Sequence, residues 1–376
     1  DTSQPERTKL FHLLKEAWPL PVDEFFPLAY PFSPTDHVFT DARVVVREDE
    51  PSSIIAFTLD SQNYREQLAN SRQSRSDAPL TELRHADASH YLYEFDTETI
   101  KLWCKIFFAE QFDALRHMCG CAEQFVQSLS RCFKWDSRGG KSGSAFLKTR
   151  DDRFVVKQLS RTELDGFSKF APQYFTYLAE CQSALRPTAL TKIFGYFRIG
   201  FKNTHTGRSF KMDFMVMENL LYGRSVDRIF DLKGSTRHRF VQESGQPHEV
   251  LQDENLMQRA QSSPLLVREH SKRILRTALH NDSLFLTEMN VMDYSLIMAL
   301  DPSRNKMVIG IIDYLRTYTW DKRVESFVKE TAILGGGGKG EPTIITPRQY
   351  RMRFLTFLDR NILMTPDPWI QSGWVQ

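Results

Sequence analysis

Apolar residues recur with two different periods along this chain. From residue 90 to about residue 218, alternating and continuous apolar runs predict strands, in chain order "YLYEF", "IKLWCKIFF", "SAFLKT", "RFVVKQL", "KIFGYFRIGF" and "FKMDFMVM". Apolar residues three or four apart predict helices from about Glu110 to Arg131, from Glu163 to about Leu185, and over "PLLVREHSKRILRTALHNDSLFL". This order predicts an α+β protein in which a more helical lobe follows a strand-rich one.

The first 89 residues follow neither pattern for long. Residues 1 to about 40 are rich in proline and aromatic residues and predict an extended arm, whereas "DARVVVRE" predicts a short strand and "PSSIIAFTLDSQNYREQL" a helix. The polar stretch from Asn70 to about Ser89 predicts a linker. We therefore divide the chain into arm, strand, helix and linker at 1–89, a first lobe at 90–225 and a second lobe at 226–376.

The stretch "WDSRGGKSGSAF", residues 135 to 146, resembles the end of a P-loop, but Trp135 stands where the first glycine belongs. A P-loop also runs into a helix, whereas a predicted β-hairpin follows here. A glycine-rich turn between strands, with Lys157 on the next strand, is the arrangement by which protein kinases cover ATP phosphates. Taken alone, the segment fits a surface loop with an exposed lysine equally well.

Two aspartates stand at the ends of apolar strand-like runs, Asp293 in "NVMDYSLIM" and Asp313 in "VIGIIDYL", with a predicted hairpin between them. By analogy with protein kinases, Asp293 would take the substrate hydroxyl and Asp313 the metal ion; capping of strand ends explains each residue singly as well. There is no H-R-D or A-P-E, and Met298 occupies the place of a metal-binding Asn. The fold is therefore expected to be kinase-like with a substrate other than protein.

Composition limits the partners and the compartment. The formal net charge is only +2, so an anionic partner must meet a local basic patch. Five cysteines without framework spacing indicate a reducing compartment, and "HMCGC" predicts packed thiols because no second Cys/His pair lies at a zinc-binding spacing. No apolar run approaches the roughly 18 residues of a membrane span. With no signal-like region after Asp1, we expect a soluble piece of a longer protein with peripheral membrane contact.

Several strings occur together in order, and the sharpest is "DLKGS" at residues 231 to 235. With "MDYSL" and "GIIDY", it resembles the phosphatidylinositol phosphate kinases. The strings "RGGKSGSAF", "FAPQYFTY", "IIDYLRTYTWDK" and "ILGGGGKG" resemble the PIKfyve-type members, which phosphorylate phosphatidylinositol 3-phosphate at the 5-position. The resemblance implies a two-lobed fold, distantly similar to protein kinases, with an antiparallel sheet in the first lobe and a mixed second lobe.

The resemblance also implies residue roles, with ATP and Mg²⁺ as cofactors. Four residues match catalytic positions, with Asp313 as the metal ligand: Lys157, Lys233, Asp293 and Asp313. The ATP-binding positions that it implies are Gly139, Gly140, Ser142, Gly143, Lys157, Glu163, Met217, Asn219, Leu220 and Ile312. Among them, Glu163 is the expected partner of Lys157, and 217–220 match the linker that receives adenine.

A substrate-selecting activation loop is implied at about residues 314–346. From Tyr314 to Arg353 there are eight basic and four acidic residues, and a basic stretch of this kind suits an anionic membrane. The residues expected to meet substrate or membrane are Lys322, Arg323, Lys329, Lys339 and Arg353. Without the resemblance, a solvated loop would be the favoured interpretation of this segment.

The expected product is phosphatidylinositol 3,5-bisphosphate, with unmodified phosphatidylinositol as a possible second substrate. That preference comes wholly from the resemblance, since spacing does not separate the 5-hydroxyl from the 4-hydroxyl. The resemblance further implies a scaffold protein and a lipid phosphatase as partners, and a cytoplasmic, peripheral place on endosomal or vacuolar membranes. No nucleic acid or transmembrane segment is expected. A protein kinase and a non-catalytic membrane-binding scaffold are the alternative functions.

Overall fold

The computed structural model describes residues 32–40, 42–73, 79–84, 89–135, 145–246, 249–304, 306–315 and 346–366. The described chain begins with a short antiparallel pair, β1 (Asp36–His37) and β2 (Val46–Arg47). Three helices follow, α1 (Ser52–Asp60), α2 (Gln62–Gln73) and α3 (Pro79–Leu83). The structure has two helices, α1 and α2, where the apolar pattern predicts one, because the backbone at Ser61 is extended and ends α1. The predicted linker also holds α3, which buries Leu83.

A seven-stranded antiparallel sheet forms the first lobe, and its strands include all six that the apolar pattern predicts. Their spatial order is β3-β4-β8-β9-β7-β6-β5. The bounds are β3 (Tyr91–Asp96), β4 (Ile100–Ile106), β5 (Cys132–Trp135), β6 (Phe146–Thr149), β7 (Phe154–Gln158), β8 (Ile193–Asn203) and β9 (Ser209–Glu218). The strands β5 and β6 pair with each other on either side of the glycine-rich segment.

Three helices pack on this lobe: α4 (Ala109–Met118), α5 (Ala122–Leu129) and α6 (Arg161–Ser183). The prediction of one helix from Glu110 to Arg131 is wrong, because Gly120 adopts a φ of 67° and ends α4. The Gly120 and Cys121 N–H groups donate to the carbonyls of His117 and Arg116, which is the hydrogen-bond pattern of a Schellman C-cap.

The second lobe contains a mixed sheet with the spatial order β11-β10-β13-β14. Its strands are β10 (Arg228–Leu232), β11 (Val250–Leu251), β13 (Ser295–Asp301) and β14 (Lys306–Ile312). A separate parallel pair joins β12 (Leu265–Arg268) to β15 (Ile362–Thr365), beside helices α7 (Asp253–Ser262), α8 (Glu269–Glu288) and α9 (Pro347–Asn361). The helix predicted from "PLLVREH" therefore begins only at Glu269.

The two lobes meet where the segment before β8 crosses β14. Leu190 bridges Ile311 in parallel, and the Thr191 N–H donates to the Ile311 carbonyl at 3.0 Å. Together with the two sheets, this confirms the predicted α+β class with an antiparallel first lobe and a mixed second lobe. The boundaries at 89 and 225 stay predictions. Within the described ranges, no helix is both long enough and apolar enough to cross a bilayer.

Candidate active site

The hairpin of β13 and β14 brings the two predicted aspartates to one end of the second sheet. Ser295 and Ile312 lie opposite each other in the ladder, with Asp293 two positions before the first and Asp313 directly after the second. Both aspartates adopt left-handed backbone conformations, with φ of 66° and 58°. Such conformations are uncommon outside glycine and cluster at functional sites, although Asp tolerates them better than most residues.

Lys157 extends from β7 towards this end of the hairpin. Its ammonium lies 3.1 Å from a Glu163 carboxylate oxygen and 3.2 Å from Asp313 Oδ1. The lysine side chain is buried, whereas that of Asp313 is 47% exposed. One cation is thus shared by two carboxylates, which leaves a net negative charge beside the open side of Asp313.

The capping box of α6 holds Glu163 in place. The Ser160 N–H donates to Glu163 Oε2 at 2.9 Å, and the Ser160 side chain accepts from the Glu163 N–H. Burial alone would raise the pKa of Glu163, but the Lys157 ammonium and the Ser160 hydrogen bonds outweigh it and hold the pKa below its ordinary value. Glu163 is therefore ionised at neutral pH and keeps Lys157 extended.

Lys233 reaches the other aspartate from the end of β10. Its ammonium donates to the Asp293 carbonyl at 2.8 Å and to Asp293 Oδ1 at 2.9 Å. Strand β10 lies beside β13, with Leu232 opposite Leu296, so the residue after β10 lies at the same sheet end as Asp293. The structure thus brings together Lys157, Lys233, Asp293 and Asp313.

Asp253 is a buried carboxylate that the sequence did not single out. It accepts hydrogen bonds from the backbone N–H groups of Lys233, Gly234 and Ser235, at 3.0, 2.7 and 3.3 Å, and from Arg239 Nε at 2.9 Å. A fixed carboxylate therefore shapes the turn that carries Lys233. Its signal in the sequence is a single Asp in "QDENL", about twenty positions downstream, and no local pattern connects the two segments.

A pocket opens between the lobes beside Lys157. Its lining contains the predicted residues Lys157, Glu163, Met217, Ile312 and Asp313, together with Thr191, Ile193, Met215, Tyr314 and Leu315. The Thr191 hydroxyl is buried with no hydrogen-bond partner among the described residues. The pocket therefore has apolar walls and a charged end.

Other predicted residues lie elsewhere. The Asn219 amide donates to the Asp152 carbonyl at 2.7 Å, and Leu220 packs in the core of the second sheet, so neither side chain is among those that line the pocket. Arg353 lies over the Tyr350 ring, 5.1 Å from its centroid, and its backbone carbonyl adjoins Gly234. Eight predicted residues lie outside the described ranges: Gly139, Gly140, Ser142, Gly143, Lys322, Arg323, Lys329 and Lys339.

A family model described as "Phosphatidylinositol-4-phosphate 5-Kinase" matches residues 128–308 and 300–361. This match extends over more than half of the chain. The chain belongs to the phosphatidylinositol-4-phosphate 5-kinase family. The matched range contains Lys157, Lys233, Asp293 and Asp313, and it also contains Asp253. The predicted resemblance is thereby confirmed.

Curated relatives within this kinase family extend over more of the chain. It is 40% identical to the yeast Saccharomyces cerevisiae 1-phosphatidylinositol 3-phosphate 5-kinase FAB1, over 99% of this chain and 20% of the relative. It is 44% identical to the human 1-phosphatidylinositol 3-phosphate 5-kinase, over 80% of this chain and 14% of the relative. The chain thus spans about a fifth or less of the length of these relatives.

Proposed function

We propose that this chain is an ATP-dependent lipid kinase domain that transfers the γ-phosphate to the 5-hydroxyl of phosphatidylinositol 3-phosphate. The product is phosphatidylinositol 3,5-bisphosphate, and unmodified phosphatidylinositol is a second acceptor. One observation carries the proposal: two lysines each hold one of two aspartates at a single end of the β13–β14 hairpin. The names of the relatives supply the choice of lipid and of hydroxyl.

The pocket beside Lys157 suits a nucleotide. We propose that the base lies against the apolar walls formed by Ile193, Met217 and Ile312. Lys157 stands at the charged end, where phosphates would lie. We assign Met217 and Ile312 to the base, and Lys157 with its partner Glu163 to the phosphates. The glycines of 139–143 are proposed to cover those phosphates, as the resemblance implies.

The carboxylates suit Mg²⁺ in the manner of phosphoryl-transfer enzymes. Magnesium is usually held by one or two carboxylates together with waters and substrate phosphates, so no cage of protein ligands is required. Accordingly, the described residues contain no group of three or more His, Cys, Asp or Glu placed to hold a metal by themselves. Asp313, half exposed and beside a net negative charge, is the proposed ligand. When bound, the ion neutralises charge on the phosphate oxygens.

Each residue of the proposed site then has a distinct role in phosphoryl transfer. Lys157 and Lys233 hold negative oxygens of the phosphate being transferred, since phosphoryl transfer depends mainly on positioning and charge neutralisation. Asp293, 47% exposed, accepts the proton of the inositol hydroxyl. Asp253 is a positioning residue, since it fixes the backbone on either side of Gly234. Glu163 keeps Lys157 extended towards Asp313.

The substrate is a membrane lipid, so the enzyme must work at a surface. We propose that the basic segment of 314–353, with Lys322, Arg323, Lys329, Lys339 and Arg353, docks on an anionic leaflet, because each such residue contributes on the order of 1 kcal/mol there. The proposed place is the cytoplasmic face of endosomal or vacuolar membranes. The scaffold protein and lipid phosphatase implied by the resemblance are proposed partners of the longer protein.

The deciding experiment offers radiolabelled ATP with vesicles that each carry one monophosphorylated inositide, and separates the products. Label should enter the bisphosphate formed from phosphatidylinositol 3-phosphate and be lost in Asp293→Asn. Label in an added peptide but in no lipid would show a protein kinase instead. Vesicle binding without label in any acceptor would show a non-catalytic scaffold.

A further inference from the structure

Glu50, which lies between β2 and α1, contacts the base of the β5–β6 hairpin. Its carboxylate accepts from Arg131 Nε at 3.1 Å and from the Cys132 N–H at 2.9 Å, and lies 3.5 Å from Arg150. The Glu50 side chain is only 11% exposed. One largely buried carboxylate thus joins the residues at the open ends of β5 and β6 to the segment that precedes the first lobe.

The strand β5 needs such a contact. It is the edge of the seven-stranded sheet and, among the described strands, pairs with β6 alone, so one side of its backbone has no strand partner there. Glu50 takes the Cys132 N–H, and across the hairpin the Arg150 N–H donates to the Arg131 carbonyl at 3.1 Å. Glu50 therefore contacts the side of the hairpin base that the sheet leaves open.

The hairpin leads directly to Lys157. Phe146 of β6 lies opposite Lys157 of β7, and the ammonium is 5.9 Å from the Phe146 ring centroid. Trp135 of β5 lies opposite Phe146 and contacts it edge to face. Two short, paired strands therefore connect the hairpin base to the lysine at the charged end of the pocket.

The segment around Glu50 is firmly attached to the lobe. All nine residues of α1 are buried, and Glu48 accepts from the Asn203 amide at 2.9 Å. Arg47, itself buried, lies in the same charged group as Glu50, Arg131 and Arg150. The segment around Glu50 lies before residue 128, where the match to the family model begins.

We propose that Glu50 is a positioning residue for nucleotide binding, which makes β2 and the residues up to Glu50, 46–50, part of the kinase's nucleotide-binding unit. This inference rests on the proposed function. Loss of the Glu50 charge lets the hairpin base open, and the fraction of molecules with Lys157 and its neighbours ready for phosphate falls. Apparent affinity falls by that same fraction.

The test compares Glu50→Gln with Asp60→Asn in the full chain. Both substitutions replace a buried carboxylate with its amide, and Asp60, 7% exposed, pairs with Arg43 at the far end of α1 and not with the hairpin. The readouts are MgATP affinity by calorimetry without lipid, hydrogen exchange of 132–135 and 146–149, and the KM for ATP on vesicles carrying phosphatidylinositol 3-phosphate.

Glu50→Gln should weaken MgATP binding and raise the KM for ATP about fivefold, with faster exchange confined to the two strands and kcat within about twofold. Asp60→Asn should change none of these. Equal MgATP affinity in Glu50→Gln and wild type, or an equal loss in both variants, overturns the inference. If Glu50→Gln does not fold, the milder Arg150→Gln is tested in its place. It should show the same faster hydrogen exchange in the two strands, and unchanged exchange would count against the inference. A wild type that binds MgATP but phosphorylates no lipid overturns the proposed function alone, because the binding comparison still decides the role of Glu50.

Discussion

At the scale of single residues, the proposed chemistry depends on two lysine–aspartate contacts. Asp293 and Asp313 both have positive φ, which costs on the order of 1 kcal/mol or more for a residue with a side chain. Asn tolerates this conformation about as well as Asp, so Asp→Asn separates the charge from the backbone strain. The strain persists because the paired strands and lysines fix both carboxylates.

Lys233→Ala should lower turnover by about 10²- to 10³-fold, as expected for the loss of one preorganised donor to the transition state. The measurement is phosphate transfer to lipid vesicles by protein that retains the wild-type melting temperature. Lys101→Ala is the control, because Lys101 forms an exposed ion pair with Asp96 on another sheet edge. A folded Lys233→Ala with near wild-type turnover would remove Lys233 from the site.

Glu163→Gln should lower the free energy of unfolding at pH 7 by about 1.5–3 kcal/mol, as for other hydrogen bonds to charged groups. A carboxyl whose pKa is lower in the folded state stabilises the fold above its unfolded pKa, about 4.5 here, and loses that effect as pH falls through the folded pKa. Urea unfolding of both proteins from pH 7 to pH 4 should show a constant gap that begins to close below about pH 5. A gap independent of pH contradicts the assigned ion pair.

At the scale of elements, local apolar patterns predicted the strands whose formation depends on residues close together in sequence. Strands β8 and β9 followed from alternating apolar residues, and the ends of the β13–β14 hairpin located both aspartates. The strand β12 was missed because its partner β15 lies about 100 positions away. Asp253 was missed for the same reason, since its hydrogen bonds join two loops that no local period connects.

The turn after β10 requires glycine at position 234, and this requirement can be measured. Its φ is 73°, and an added Cβ would lie 2.7 Å from Phe354 Cα on α9. Gly207 also has a φ of 73°, but an added Cβ there meets nothing within 4 Å. Gly207→Ala should therefore cost only the left-handed strain, about 1–2 kcal/mol.

Gly234→Ala should cost about 1–3 kcal/mol more than Gly207→Ala, because a backbone atom must move. It should also slow turnover, since Lys233 moves with the turn. Chemical denaturation and vesicle assays of the two variants provide the comparison. An equal loss of unfolding free energy in the two variants would show that α9 moves without cost to make room for the added methyl group.

At the scale of the whole molecule, one buried carboxylate joins both lobes. Asp282 of α8 accepts from the Tyr177 hydroxyl of α6 at 2.6 Å and from the Ala189 N–H at 2.6 Å. Ala189 in turn accepts from the Ile311 N–H, two positions before Asp313. The helix that carries Glu163 and the strand that carries Asp313 therefore share one anchor.

Tyr177→Phe should lower the free energy of unfolding by about 1–2 kcal/mol, as removal of a buried hydrogen bond does. It should also raise the KM for ATP, because the placement of Asp313 relative to Lys157 loosens. Tyr64→Phe is the control, since the Tyr64 hydroxyl of α2 accepts from Arg116 of α4. Its loss of stability should be similar, with no change in KM. Indistinguishable KM values for the two variants would contradict the shared anchor.

The parallel pairing of β12 with β15 also affects how the protein is made. The Lys272 ammonium donates to the Ile362 carbonyl at 2.6 Å, so α8 too depends on a residue translated much later. At about 5–20 residues per second, a ribosome needs roughly 5–20 seconds to add the intervening chain. We therefore expect the nascent protein to present an unpaired edge at Leu265–Arg268 during that interval, which favours binding by holding chaperones until β15 is available to pair.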